Sequence, residues 1–160
     1  MHVTNILYED FVNYKKPSMF IGSCYCDFKC CKEGSFDISV CQNSSLRNVG
    51  HKDVPDEQIF EKYQSNPITQ AIVIGGLEPF LQYSEVFSLI KYFREHGCMD
   101  DFVIYTGYNK FEIKMNIEDL QQFPNIIVKF GRFLMNDEPH KDSTLGVTLM
   151  SHNQYAERIS

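Results

Sequence analysis

The sequence predicts a single α/β domain, spanning residues 1–160, that is built from parallel βα units. Short apolar segments of strand character alternate along the chain with segments of helical periodicity, and this alternation is typical of βα units. The chain of 160 residues is long enough for one domain with a substantial core and too short for two. The pattern leaves two arrangements open, a doubly wound sheet or an incomplete barrel.

Four apolar segments predict the parallel strands. They are PSMFIGS (17–23), QAIVIGG (70–76), DFVIYTG (101–107) and NIIVKFG (125–131). β-branched and aromatic residues dominate them, and glycine closes each segment or stands next to its end. A further strand is predicted in STLGVTLM (143–150), and the tail HNQYAERIS (152–160) is predicted to begin a short helix.

Three helices are predicted between these strands, within residues 51–65, 84–97 and 109–123. Acidic residues follow Pro55 at the start of the first helix, as is usual in a first turn. The second helix has apolar residues at a spacing of three and four. In the third, Asn109 and Glu112 have the spacing of a capping box.

Ligand sites in parallel α/β folds gather at the carboxyl ends of the strands. The segments SCYC, GGLEP, TGY and GRF follow the four predicted strands in turn. We therefore expect the cysteine-rich loop after the first strand and the glycine turn after the second to face a common pocket.

The charge balance disfavours nucleic acid as a partner. Fifteen basic and twenty-one acidic residues give a net charge of −6, and the basic residues are scattered. No apolar run approaches the length that spans a bilayer, and no signal peptide is recognisable. We therefore expect no membrane partner and a cytoplasmic location, where thiols stay reduced.

Five of the six cysteines lie between residues 24 and 41: Cys24, Cys26, Cys30, Cys31 and Cys41. Three interpretations are open. Four thiolates can close a zinc site, although the paired CxxC spacing is absent. Three thiolates can hold an iron–sulfur cluster and leave one iron open to a ligand. The thiols can also be small buried apolar groups with no metal.

The stretch CDFKC, from Cys26 to Cys30, resembles the first half of the CxxxCxxC loop of radical S-adenosylmethionine enzymes. Position 33, where that loop has its third cysteine, is Glu33. The stretch VCQNSS around Cys41 resembles the end of the loop in activases of glycyl-radical enzymes. The resemblance thus implies an insertion and the ligand set Cys26, Cys30 and Cys41, since longer loops cost little closure entropy. The roles of Cys24 and Cys31 remain open.

The segment VIGGLEPFLQ (73–82) resembles the GGEP turn of the same family, with Leu77 inserted after Gly76. In the family this turn holds the methionine amino group of S-adenosylmethionine, which implies cofactor contacts at Gly75, Gly76 and Glu78. Glycines admit close backbone approach, and a carboxylate accepts hydrogen bonds from an ammonium.

The segment VIYTGYNKFEI (103–113) is similar to one in the short activating proteins of anaerobic ribonucleotide reductase, and it adds Thr106 to the implied cofactor site. VKFGRF and SHNQ resemble the DGRF and SSNQ segments of those proteins. The resemblance extends from Met19 to Gln154 and implies the second arrangement, an incomplete (partial) TIM-like barrel.

The resemblance implies a [4Fe–4S] cluster whose open iron binds S-adenosylmethionine. One electron from a donor such as flavodoxin or ferredoxin then cleaves the cofactor to methionine and a 5′-deoxyadenosyl radical. The radical takes a hydrogen atom from a glycine of a partner glycyl-radical enzyme, expected to be anaerobic ribonucleotide reductase. Two alternatives stay open: a divergent radical S-adenosylmethionine enzyme with another substrate, and a zinc or iron–sulfur module without catalysis.

Overall fold

The computed structural model describes residues 1–160 and has a six-stranded mixed sheet at its centre. The strands of the chain are β1 His2–Val3, β2 Asn5–Asp10, β3 Ser18–Ser23, β4 Lys52–Asp53, β5 Ala71–Gly76, β6 Asp101–Tyr105, β7 Ile126–Phe130, β8 His140–Lys141, β9 Thr148–Leu149 and β10 Tyr155–Arg158. The order in the main sheet is β10-β7-β6-β5-β3-β2. Its four central strands are parallel, and both edge strands are antiparallel to their neighbours. Two short antiparallel pairs, β1 with β4 and β8 with β9, lie outside it.

The α-helices are α1 Lys29–Gly34, α2 Asp56–Gln64, α3 Tyr83–Glu95 and α4 Lys114–Leu120. A 3-10 turn, Lys110–Ile113, leads into α4, and the Glu112 carboxylate accepts a hydrogen bond from the Asn109 N–H at 2.8 Å, as the capping-box spacing predicts. None of these helices has the length and apolar character needed to cross a membrane.

The sheet separates two apolar clusters of unequal size. Alternate residues of β5 point to opposite faces, so Ile72 and Ile74 join the large core while Val73 joins the small one. Helices α2, α3 and α4 cover the large core. Tyr14 and the stretch around Leu145 cover the other face. The face with the small core is therefore covered by chain segments without helices. The loops that follow the parallel strands border this face.

The tail does not form the helix predicted for residues 152–160. Residues Tyr155–Arg158 form β10, with Tyr155 opposite Phe130 and Arg158 opposite Ile127. Without this strand the outer hydrogen-bonding groups of β7 would lack protein partners. Pairing with β7 therefore decides the conformation of the tail.

The strand predicted in residues 143–150 is reduced to β9, which has two residues. The Asp142 carboxylate accepts a hydrogen bond from the Leu145 N–H at 2.8 Å, and Gly146 follows with a φ of 77°. These features form a turn that places Leu145 against the sheet instead of within it.

The central parallel strands share one carboxyl edge. Ser23 pairs with Gly76, and Tyr105 pairs with Lys129, so the four strands end at the same level. The loops that follow them are consequently neighbours. Closure of this sheet towards an incomplete barrel stays a prediction.

Candidate functional site

A cavity of about 660 Å³ lies at this carboxyl edge. It is lined by residues from the cysteine loop, the glycine turn and the end of β6, among them Cys26, Cys30, Cys41, Gly76, Glu78 and Thr106. The cysteine loop and the glycine turn therefore face a common pocket.

The five loop cysteines divide into two groups. Cys26, Cys30 and Cys41 line the cavity, whereas Cys24 and Cys31 do not. Cys31 is 2% exposed and packs with Phe28 and Leu77. The fold thus brings the three predicted ligands together and leaves Cys31 in a packing role.

The inserted segment returns the chain to the cavity. Helix α1 carries Cys30 and ends at Gly34, after which Ser35 takes a left-handed conformation with a φ of 53°. One 3-10 turn, Ile38–Val40, then precedes Cys41. The inserted segment therefore reverses the direction of the chain, and the thiol of Cys41 reaches the same cavity as those of Cys26 and Cys30.

Burial disfavours ionisation of the lining thiols in the cluster-free protein. It raises the pKa of Cys26 to about 12 and that of Cys30 to about 11, where the neighbouring Cys31 adds to the effect. Burial also raises the pKa of Cys41. Binding of a metal centre by these thiols as thiolates would therefore release protons.

The donor set fits an iron–sulfur cluster. Three thiols line the cavity, and thiolates are the usual ligands of such clusters. No three His, Cys, Asp or Glu side chains converge on one point as ligands of a single ion would.

Glu78 lies in the cavity wall and is 5% exposed. Its carboxylate accepts hydrogen bonds from the Thr106 hydroxyl at 2.7 Å, the Gly107 N–H at 2.8 Å and the Phe80 N–H at 3.1 Å. Burial raises the pKa of Glu78 above its ordinary value, and these hydrogen bonds oppose that shift. An ionised carboxylate has about four acceptor positions, so one remains for a ligand.

Leu77, the extra residue of the turn, packs beneath the cysteine loop against Phe28 and Cys31. The next residue, Glu78, donates its N–H to the Tyr25 carbonyl at 2.6 Å. The insertion therefore joins the turn to the loop, and Glu78 still lines the cavity.

The two glycines of the turn differ. Gly76 lines the cavity and has a φ of 84°, a conformation that favours glycine. Gly75 is not among the lining residues, and its carbonyl accepts a hydrogen bond from the Ser23 hydroxyl at 2.8 Å. Of the pair, only Gly76 presents its backbone to the cavity, and a cofactor contact at either glycine stays a prediction.

Thr106 serves to position Glu78. Its hydroxyl donates to the Glu78 carboxylate and accepts a hydrogen bond from the Tyr108 N–H at 2.9 Å. The Tyr108 hydroxyl in turn donates to Asp27 of the cysteine loop at 2.9 Å. The segment after β6 thus connects the carboxylate to the loop that carries the thiols.

A charged cluster of Lys29, Glu33, Glu112 and Arg132 holds α1 against the body of the domain. The Arg132 side chain is 7% exposed and lies 2.6 Å from Glu112 and 2.7 Å from Glu33. Hydrogen bonds from Arg132 hold the pKa of Glu112 far below its usual range. Glu33, at the position of the usual third cysteine, thus pairs with Arg132 instead of lining the cavity.

The sequence did not place Lys129 in the cavity, yet it is there. Side chains alternate along β7, so Lys129 shares the face of Ile127. A charged residue inside an apolar strand was the available signal, but its direction depends on strand pairing. Residues 147–150, also unexpected at the site, complete one wall.

The model of a family described as "4Fe-4S single cluster domain" matches residues 18–155. This range includes the three lining thiols, the glycine turn and Lys129. No curated protein and no solved structure matches the chain.

Proposed function

The chain belongs to the family of 4Fe-4S single cluster domains, and from this premise we propose that it is a radical S-adenosylmethionine activase. Cys26, Cys30 and Cys41 are the proposed cluster ligands. The observation that carries the proposal is that these three thiols line one cavity with Glu78. Three protein ligands for four irons leave one iron open to a small molecule.

The cavity has features that suit S-adenosylmethionine. Its volume of about 660 Å³ lies within the range of small-molecule sites. The remaining acceptor position of Glu78 suits the methionine ammonium, and the backbone at Gly76 allows close approach. Apolar side chains such as Phe20 and Leu149 line the same cavity and suit the adenine ring.

A bound cluster and S-adenosylmethionine would supply one-electron reductive cleavage of the sulfonium cofactor. The chain's own residues would bind and orient these groups: the three thiols would hold the cluster, and Thr106 and the Gly107 N–H fix Glu78 by hydrogen bonds. Because Glu78 is buried, its carboxylate has little contact with water. The chemistry itself belongs to the cofactors.

A protein partner is the proposed hydrogen donor. Val12 and Met150 line the cavity and are 73% and 42% exposed, so the cavity mouth presents apolar side chains to the surface. Such side chains suit contact with a protein. We propose a glycyl-radical enzyme, anaerobic ribonucleotide reductase, as this partner, and flavodoxin or ferredoxin as the electron donor.

The test is formation of 5′-deoxyadenosine by the reconstituted, reduced protein under anaerobic conditions. We expect product from the wild type and from Cys31→Ala, whose thiol lies outside the cavity. We expect none from Cys41→Ala. Equal product from Cys41→Ala would refute the ligand set, and no product from a cluster-loaded wild type would refute the activity.

A divergent enzyme acting on another substrate would share this first step. The two functions separate when the reduced protein is mixed with a candidate reductase and the glycyl radical is sought by electron paramagnetic resonance. A radical on the reductase supports the activase. Cofactor cleavage without a radical on any tested reductase favours the divergent enzyme.

A further inference from the structure

Lys129 is a buried cation that forms no direct ion pair. Its residue is 7% exposed and lines the cavity. The ammonium donates one hydrogen bond, to the Gly131 carbonyl at 2.9 Å, and forms no ion pair with a carboxylate. The other residues of β7 are all buried and apolar.

Such a placement is unfavourable in the cluster-free protein. Taking an ammonium out of water without a paired anion carries a large desolvation penalty. Burial accordingly lowers the pKa of Lys129 to about 8, while Glu78 and Cys30 act in the opposite direction. An apolar side chain would fill the same position in β7 without this penalty. An anion bound in the cavity would offset this penalty.

The anion that Lys129 faces is identified by the groups around it. The three proposed cluster ligands, Cys26, Cys30 and Cys41, line the same cavity as Lys129. A cluster held by three thiolates has a net negative charge, and reduction by one electron increases that charge. Net charge and local electrostatics are among the factors that set the reduction potential of iron–sulfur clusters.

We propose that Lys129 is a redox-tuning residue, whose buried ammonium stabilises the reduced cluster and raises its reduction potential. The inference rests on the proposed ligands Cys26, Cys30 and Cys41. One electron passes from an external low-potential donor, dithionite in the test, to the cluster. No proton moves, because Lys129 is protonated in both oxidation states.

The test is a potentiometric titration of the reconstituted protein without S-adenosylmethionine, followed by electron paramagnetic resonance. In Lys129→Met and Lys129→Gln we expect the equilibrium between oxidised and reduced cluster to shift about tenfold towards the oxidised form. For a one-electron couple this shift corresponds to a reduction potential about 59 mV lower. Lys129→Gln retains a donor for the Gly131 carbonyl. Lys129→Arg keeps the charge, and we expect its potential to stay near that of the wild type.

Lys110→Met is the matched control. Lys110 is 42% exposed and pairs with Glu157 outside the cavity, so water screens its charge. We expect no change of potential in this variant. Equal potentials in wild type, Lys129→Met and Lys129→Gln would overturn the inference, and so would an equal decrease in Lys110→Met.

Two further readouts separate this role from others. Thermal unfolding of the cluster-free protein should show a higher Tm for Lys129→Met, and a lower Tm in both neutral variants would overturn the inference. An unchanged potential with weaker S-adenosylmethionine binding would also overturn it, because the ammonium would then serve the ligand carboxylate. A tuned cluster that does not respond to S-adenosylmethionine would remove the proposed function and leave the inference intact.

Discussion

Arg132 and Glu33 form an ion pair, with 2.7 Å between Nε and Oε2. In the CxxxCxxC loop that Cys26 to Cys30 resembles, position 33 would be the third cysteine; here it is Glu33, and Cys41 lines the cavity. Two different residues therefore fill the structural role and the thiol role. Glu33 holds α1 in place, and Cys41 offers the thiol.

The first prediction concerns rescue of the third ligand. We expect Cys41→Ala to lose the cluster, and Glu33→Cys in that background not to restore it, because the side chain at position 33 is directed to Arg132. Iron and sulfide per chain after reconstitution measure both effects. Full iron content in the double variant would show that the usual spacing still works here. Cys98→Ala, remote from the loop, is the control and should keep the cluster.

The second prediction concerns the charged cluster. Arg132→Met should lower the free energy of unfolding at neutral pH by about 2 kcal/mol, because it leaves the mostly buried carboxylate of Glu112 with Lys29 as its only cation. Lys114→Met, which breaks an exposed pair with Glu118, should change it by less than about 0.5 kcal/mol. Denaturant unfolding measures both variants. Similar effects of the two substitutions would contradict the prediction.

The same pair predicts a dependence of stability on acid. Arg132 lowers the pKa of Glu112 below its ordinary value of 4.5, so the pair contributes its full stabilisation above that pH. This contribution is lost as the pH falls below 4.5 towards the folded-state pKa. The difference in unfolding free energy between wild type and Arg132→Met should therefore shrink in acid. A difference in unfolding free energy that stays constant with pH would contradict the assignment of this stabilisation to the ion pair of Arg132 with Glu112.

The third prediction concerns the cluster-free thiols. Burial raises the pKa of Cys26 from 9.0 to about 12, so the neutral thiol stabilises the folded state fully below pH 9.0. That contribution is lost as the pH rises towards 12. Wild-type protein should therefore lose more stability than Cys26→Ala between neutral and alkaline pH. Denaturant unfolding at each pH measures the stability of both proteins. An equal loss of stability in wild type and Cys26→Ala would contradict the burial of this thiol.

The fourth prediction concerns Glu78. Glu78→Gln should keep the cluster, because no thiol is altered, and should bind S-adenosylmethionine about tenfold more weakly or worse. The carboxylate accepts hydrogen bonds from the Phe80 and Gly107 N–H groups, and the NH₂ of the glutamine amide would face one of these donors with a donor of its own. Glu85→Gln, whose carboxylate pairs with His2 outside the cavity, is the control. Equal affinities in the two variants, measured by titration of the cluster signal, would exclude Glu78 as a cofactor contact.

Much of the central sheet follows from local composition. The β-branched runs at Ala71–Gly76 and Ile126–Phe130 are strands in the structure, as predicted. The two edge strands were not predicted. Asn5–Asp10 is mostly exposed, and the sequence predicts a helix over residues 152–160, so hydrogen bonding to a neighbouring strand decides both edge strands.

The site divides in the same way. The spacing of Cys26, Cys30 and Cys41 could be proposed from a resemblance, and these thiols do line one cavity. The position of Lys129 could not be obtained, because the face on which a strand residue lies depends on register. The packing of Leu77 beneath Cys31 depends on contacts between distant segments, which sequence spacing does not contain.

The central claim is that three thiols hold a [4Fe–4S] cluster whose open iron binds S-adenosylmethionine. Electron paramagnetic resonance of the anaerobically reconstituted, dithionite-reduced protein tests it most directly, with spectra recorded before and after S-adenosylmethionine is added. We predict a [4Fe–4S]⁺ signal that changes on addition and changes equally in Cys31→Ala. A signal that S-adenosylmethionine leaves unaltered would contradict the claim.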